Sequence, residues 1–215
     1  MIPKIIHHVW VTDTPLKYPE FRVSWMKHNP DYSFYFWTLN NLPFEKMSET
    51  AREIIQDKKL FFLVKAESLK HEMLRIFGGI YVDHDMECLR NFDCFLANDC
   101  FTGVEGPDGN IGTAIIGSVK GDIRVSQYSD HIQTRYQCDY EKCNRRPVQT
   151  VGPRDRTYQE IFKRSTVYPM EYFYPFNCME PEKRKLDFPK SFAKHYWNCK
   201  DDDGWMNKHK EFLKV

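Results

Sequence analysis

The segment that most limits what this chain can fold into is KAESLKHEMLRIFGGIYVDHDME, residues 65–87. Ala66, Leu69, Met73, Ile76 and Phe77 recur at the spacing of one helical face. Gly78 and Gly79 stop that helix, as glycine does at a helix C-terminus. Residues 80–85, IYVDHD, then read as an apolar strand. A helix running straight into a buried strand calls for layers of helix on sheet.

The strand ends in two carboxylates. In an extended chain, Asp83 and Asp85 face one way and His84 the other, where a structural role is expected for the histidine. Strand ends of α/β sheets are where ligands usually bind. Two carboxylates there repel and are costly to bury unless a cation neutralises them. Oxygen ligands suit Mg²⁺ or Mn²⁺, whose open positions accept phosphate oxygens and which act as Lewis acids toward a departing diphosphate. A solvated turn or a helix cap is the other reading of Asp-x-Asp, and the local context leaves both open. Glu67 and Lys70, three apart, share a helical face distinct from the apolar stripe. They are either an exposed ion pair of little worth or groups presented to the same pocket as Asp83.

Along the rest of the chain, residues 4–11 and 32–39 read as strands. Residues 19–30 form a short helix closed by Asn29-Pro30, and Ser48 caps a polar helix over 48–58. CFTGVEG and GTAIIGSV read as short strands around a Gly-rich turn, followed by a helix over 121–137. VQTVGPRDRTYQEIFKR reads as a loop, a Gly-Pro break and another helix. From 166 to 215, Pro169, Pro175, Pro181 and Pro189 exclude long elements, so a mostly looped tail is expected to pack on the body. The expectation is a single α/β sandwich domain over 1–215.

Composition excludes some partners. With 31 basic and 30 acidic residues the formal net charge is +1, and no basic stripe of a nucleic-acid binder is present. Aromatic residues make up 15%, which suits either a bulky core or a site for ring-shaped ligands. No signal peptide or membrane-spanning run is legible. The seven cysteines contain no C-x-x-C pair and read as free thiols of a reducing compartment. Cys138 and Cys143 lack the further ligands of a metal site. A cytoplasmic setting is therefore expected, the chain acting alone or as one domain of a longer protein.

IPKIIHHVW at the start and residues 65–87 are together similar to the glycosyltransferases of family 32, whose sugar-binding region contains a DXD motif. That class includes yeast-type mannosyltransferases, capsular polysaccharide enzymes and, more distantly, the large clostridial glucosylating toxins. GTAIIGSVKGD, VQTVGPRDRT and the late histidine of FAKHYWN fit in the same order. The resemblance implies a GT-A fold, a nucleotide-sugar donor, a glycan or other hydroxyl acceptor, and a divalent metal, usually Mn²⁺. It places Asp85 and His195 on the metal, and Asp83 on the metal or against the donor's ribose or sugar. Trp10, with Val9 beside it, falls near the nucleobase. Glu67 and Lys70 align with an Asp and an Arg that hold the donor's sugar hydroxyls and phosphate; a lysine lacks the bidentate fork of arginine. The sugar-side Asn of the family aligns with Thr113, with Asn110 close upstream. The Ser-Trp expected after the late histidine is displaced, which leaves Trp205 as its counterpart.

The implied activity is transfer of a hexose, with UDP-sugar ahead of GDP-mannose as donor and retention of anomeric configuration. Two other readings compete. An inactive nucleotide-sugar-binding module would keep the acidic pair but tolerate the changes at Glu67 and Lys70. A phosphatase of the D-x-D-x-[TV] kind would need Thr or Val where Glu87 stands.

Overall fold

The computed structural model describes residues 1–12 and 18–197. β1 (Ile5–Trp10), α1 (Pro19–His28) and β2 (Ser33–Thr38) form the opening β-α-β unit, with β1 parallel to β2. Pro19 stands in the first turn of α1, where its missing N–H costs nothing. The Ser48 hydroxyl accepts from the Ala51 N–H at 3.2 Å and so starts α2 (Glu49–Gln56). α3 (Phe62–Phe77) begins a turn before the apolar stripe suggests and ends at Gly78, whose φ is +66°.

β3 (Gly79–Val82) follows directly, then β4 (Met86–Cys88), β5 (Cys100–Gly103) and β6 (Ile115–Ser118). Next come α4 (Ile123–Cys138), α5 (Tyr140–Arg145), α6 (Pro147–Thr150) and α7 (Arg156–Phe162). α6 occupies the start of the stretch expected as loop before Gly152-Pro153. The chain closes with β7 (Thr166–Tyr168), α8 (Met170–Phe173) and β8 (Ala193–His195).

The main sheet has the order β2-β1-β3-β6-β5-β7. β1 lies parallel to β3, β3 antiparallel to β6, β5 antiparallel to β6, and β7 parallel to β5. A second, two-stranded sheet joins β4 to β8. Thus, residues 166–197 are less irregular than their prolines suggest, because both β7 and β8 are held by partners far away in sequence.

Strand alternation splits the core into two layers. Ile80 and Val82 of β3 and Ile115 of β6 join a cluster with Trp25, Phe92, Phe95 and Phe173. Their neighbours Tyr81 and Ile116 join another with Leu69, Met73, Tyr128 and Phe162. Side chains of successive strand residues point to opposite faces, so the sheet is covered on both. The six cysteines among the described residues are free. Among the described residues no helix is long and apolar enough to cross a membrane.

Candidate active site

β3 lies inside the main sheet and ends at Val82 rather than continuing through the aspartates. Asp83, His84 and Asp85 form a tight connection to β4, in which the Asp83 N–H donates to the Ala114 carbonyl at 2.8 Å and the Met86 N–H to the Asp83 carbonyl at 3.2 Å. Strand alternation is therefore not what gathers the two carboxylates. Met86 pairs with His195 across the second sheet, and this sets the His195 ring against Asp85, with Nε2 3.2 Å from Oδ1. The Tyr196 N–H donates to the Asp85 carbonyl at 2.9 Å and closes the same corner. One ligand atom from each of Asp83, Asp85 and His195 lies within 4.8 Å of the others.

Glu67 and Lys70 are not a solvated pair. Both are buried, and Lys70 Nζ donates to Glu67 Oε1 at 2.9 Å and to the Thr113 carbonyl at 3.0 Å, with Asp83 Oδ1 at 3.7 Å. The Thr113 hydroxyl donates to Glu67 Oε1 at 3.2 Å, and the Tyr81 hydroxyl donates to Asp83. The face that looked polar on α3 is turned inward, because β3 and the segment before β6 supply acceptors for it.

These groups border a cavity of about 150 Å³. Glu67, Asp83, Glu105, Thr113 and His195 form its polar wall, and Leu63, Val148, Gly152, Pro153 and Trp197 its apolar one. Burial pushes Glu67 up to about 7 although Lys70 opposes it. Burial likewise pushes Glu105 up to about 7, with Arg154 and His195 acting the other way. Burial disfavours the charged form of His195, but Asp85, then Asp83 and Glu105, outweigh it and raise its pKa.

The other expected residues are more scattered. Trp10 stands at the end of β1 with its ring edge-on to His84, centroids 4.6 Å apart. His84 also stacks on Tyr18. Val9 packs in the core. Asn110 binds Asp108 through its amide on the exposed hairpin turn between β5 and β6 and does not border the cavity. Trp205 lies outside the described residues.

Two carboxylates and an imidazole on one point make a donor set that fits Mg²⁺ or Mn²⁺. Residues 19–102 match the family described as the glycosyltransferase sugar-binding region containing the DXD motif, and Asp83-His84-Asp85 is that motif. The matched stretch spans α1 to β5 and contains Glu67, Lys70 and both aspartates. The curated relative mannosyl phosphorylinositol ceramide synthase of Saccharomyces cerevisiae is 31% identical over 130 residues, which cover 55% of this chain and 31% of that protein. The chain spans about a third of the length of the curated relatives it matches.

Among solved structures, the PaToxG glycosyltransferase superposes with a TM-score of 0.60 at 15% identity, covering 74% of this chain and 68% of that one. A glycosyltransferase involved in glycosylation of the major capsid of PBCV-1 gives 0.52 at 14% identity, covering 93% and 95%. These likenesses show a GT-A fold. Outside the sugar-binding region, Thr113, Glu105, Gly152, Pro153, His195 and Trp197 complete the cavity.

Sequence reasoning missed Glu105 and Trp197. Glu105 sits in a Gly-rich turn, VEGPDG, with nothing periodic to connect it to the aspartates. Trp197 is two residues past His195, and its ring centroid lies 4.3 Å from the imidazole. Its φ of +58° is rare for a bulky residue, and its Nε1–H donates to the Phe176 carbonyl at 3.0 Å. The proximity of the tryptophan to the late histidine was its one legible signal.

Proposed function

We propose that this protein is a metal-dependent glycosyltransferase that moves a hexose from a nucleotide-sugar donor to a glycan or other hydroxyl acceptor with retention of configuration. The observation that carries the reading is the convergence of Asp83, Asp85 and His195 at the edge of a small cavity whose polar wall includes Glu67 and Thr113. A divalent cation, Mn²⁺ or Mg²⁺, held by these three residues would neutralise the donor diphosphate and act as its Lewis acid.

In this reading the chain's own residues bind and orient. Lys70 is committed to Glu67 and Thr113, so its charge steadies the carboxylates rather than gripping a phosphate. Glu67 Oε1 is taken by Lys70 and Thr113, while Oε2 makes no hydrogen bond among the described residues and lies 4.0 Å from His71 Nδ1; as a wall of the cavity, Glu67 is assigned to the sugar hydroxyls. Thr113 rather than Asn110 takes the sugar-side place, because only Thr113 reaches Glu67. The Trp197 ring covers the cavity beside His195 and offers the sugar an apolar face. Trp10 and Val9 are assigned the nucleobase side, and Trp205 a place near the donor. Holding the anomeric carbon toward the acceptor is the contribution that such positioning makes to rate.

UDP-hexose is one candidate donor. The names of the curated relatives, a mannosyl phosphorylinositol ceramide synthase and an inositol phosphoceramide mannosyltransferase, bring GDP-mannose forward as an equal candidate. One domain over 1–215 and a cytoplasmic setting are parts of the same proposal.

The test is nucleotide release from UDP-glucose, UDP-galactose and GDP-mannose with and without Mn²⁺. Release that requires the metal and disappears in Asp85→Ala is expected. No release from any donor, or release indifferent to Asp85→Ala, overturns the reading in favour of a binding module. An acceptor product of inverted anomeric configuration by NMR coupling would overturn retention.

A further inference from the structure

Glu105 is the carboxylate that the sequence did not point to. Its residue surface is only 8% exposed, and what it lines is the cavity. Among the described residues no side chain or backbone N–H donates a hydrogen bond to its carboxylate. Burying a carboxyl without a donor is costly, and native proteins rarely leave one so.

Nor is the side chain free to swing away. The hairpin that carries it is closed by the Val104–Ile111 bridge and by the Glu105 N–H donating to the Asn110 carbonyl at 2.8 Å. Gln159 holds Ile111 from both sides, accepting from its N–H and donating to its carbonyl, each at 2.9 Å. Arg154, next to the Gly152–Pro153 wall, donates to Asp108 at 2.6 Å and ties the hairpin across to that wall. On the backbone side, Gly112 leaves no room, since a Cβ there would stand 3.0 Å from Glu105 Cβ. A rigidly held, unpartnered carboxylate facing a cavity is the form a preorganised hydroxyl receptor takes.

We propose that Glu105 is a specificity-determining residue that accepts a hydrogen bond from a hydroxyl of the donor hexose held in this cavity. The proposal rests on the glycosyltransferase reading above. Glu67 with Thr113 and Glu105 would then read the sugar from two separate elements, α3 and the β5–β6 hairpin. Such a site discriminates strongly against a sugar lacking the hydroxyl, because the carboxylate would be left buried and unpaired.

The experiment compares wild type, Glu105→Ala and Glu105→Gln, without acceptor, in the presence of Mn²⁺. Binding of UDP-glucose, UDP-galactose and GDP-mannose, and of free UDP and GDP, is measured by calorimetry, and thermal melts confirm folding. Glu105→Ala is expected to weaken nucleotide-sugar binding by about 10- to 100-fold, the usual worth of a hydrogen bond to a charged group. Binding of the free diphosphate should stay within a factor of two or so, and Glu105→Gln should recover part of the loss because its amide oxygen still accepts. Equal loss for both ligands, or no loss for either, would overturn the proposal. Wild type that binds and turns over no nucleotide sugar would instead sink the glycosyltransferase reading itself, which separates the two failures.

Discussion

At the scale of single residues, the site depends on buried charges, and Lys70 and Glu67 are its closest ion pair. Lys70 is the cation that lets Glu67 be buried, and removing one partner of such a pair costs far more than the pair contributes. Lys70→Ala should therefore lower stability by about 3–5 kcal/mol at neutral pH. The loss should shrink toward pH 5. Glu67 is already pushed up to about 7 by burial and rises further without Lys70. A folded carboxyl raised above its unfolded value costs stability as pH climbs past about 4.5 and most above its folded pKa, so acid relieves the defect. Denaturant titrations at pH 5 and pH 8 check this, and the double variant Glu67→Gln/Lys70→Met should regain most of the stability. Asp85 differs from Lys70 in kind, since Asp85→Ala is expected to remove metal-dependent turnover with little change in the melting temperature.

At the scale of elements, the joint between α3 and β3 places the acidic turn. Gly78 and Gly79 have φ of +66° and +105°. A Cβ on Gly78 would stand 2.5 Å from the Lys120 nitrogen, and one on Gly79 2.7 Å from the Ile5 carbonyl oxygen in neighbouring β1. Gly79→Ala must therefore both strain the backbone and push β3 off β1. The backbone term alone is about 1–3 kcal/mol. We expect a lower denaturation midpoint together with weaker Mn²⁺ binding, because Asp83 hangs on the end of that strand; an unchanged midpoint would mean that the joint relaxes freely. The pairing of β4 with β8 is the second decisive joint. It is three residues long, and together with the Tyr196 N–H bond to the Asp85 carbonyl it brings His195 to Asp85 across 110 positions of sequence.

At the scale of the whole molecule, two sets of buried titratable groups oppose one another. Burial holds His7 down to about 4, His8 to about 3 and His71 to about 3. His7 shows why it stays neutral: Trp37 Nε1–H donates to its Nδ1 at 3.0 Å, so its Nε2–H must donate to the Gly78 carbonyl at 2.8 Å. The unfolded chain takes up protons on these histidines as pH falls through about 6.5, while the folded chain does not. Each then costs about 1.4 kcal/mol per pH unit on the acid side. Glu67 and Glu105 act in the opposite sense, binding protons in the folded state near pH 7 that the unfolded chain does not bind until about 4.5. The wild-type stability should fall only shallowly between pH 7 and pH 5. In Glu67→Gln/Glu105→Gln the counterweight is gone, and the fall should steepen toward about 4 kcal/mol per pH unit from the three histidines. Denaturant midpoints across this range read the difference directly.

By itself the sequence determined the parts whose causes are local. The apolar stripe of α3, its Gly-Gly stop, the Ser48 cap and the strand character of β1 and β2 follow from side-chain spacing and backbone chemistry within a few residues. So does the presence of an Asp-x-Asp at a strand end. His195 was legible only through family resemblance, since nothing near it in the chain marks it. The tertiary structure decided that Asp83 and Asp85 occupy a turn and that Glu67 and Lys70 are buried. It also decided that β7 and β8 organise the proline-rich segment, and that Glu105 and Trp197 reach the cavity. Each of these depends on contacts between segments tens of residues apart. Such contacts form only when the sheet order is complete, and a local pattern holds no record of that order.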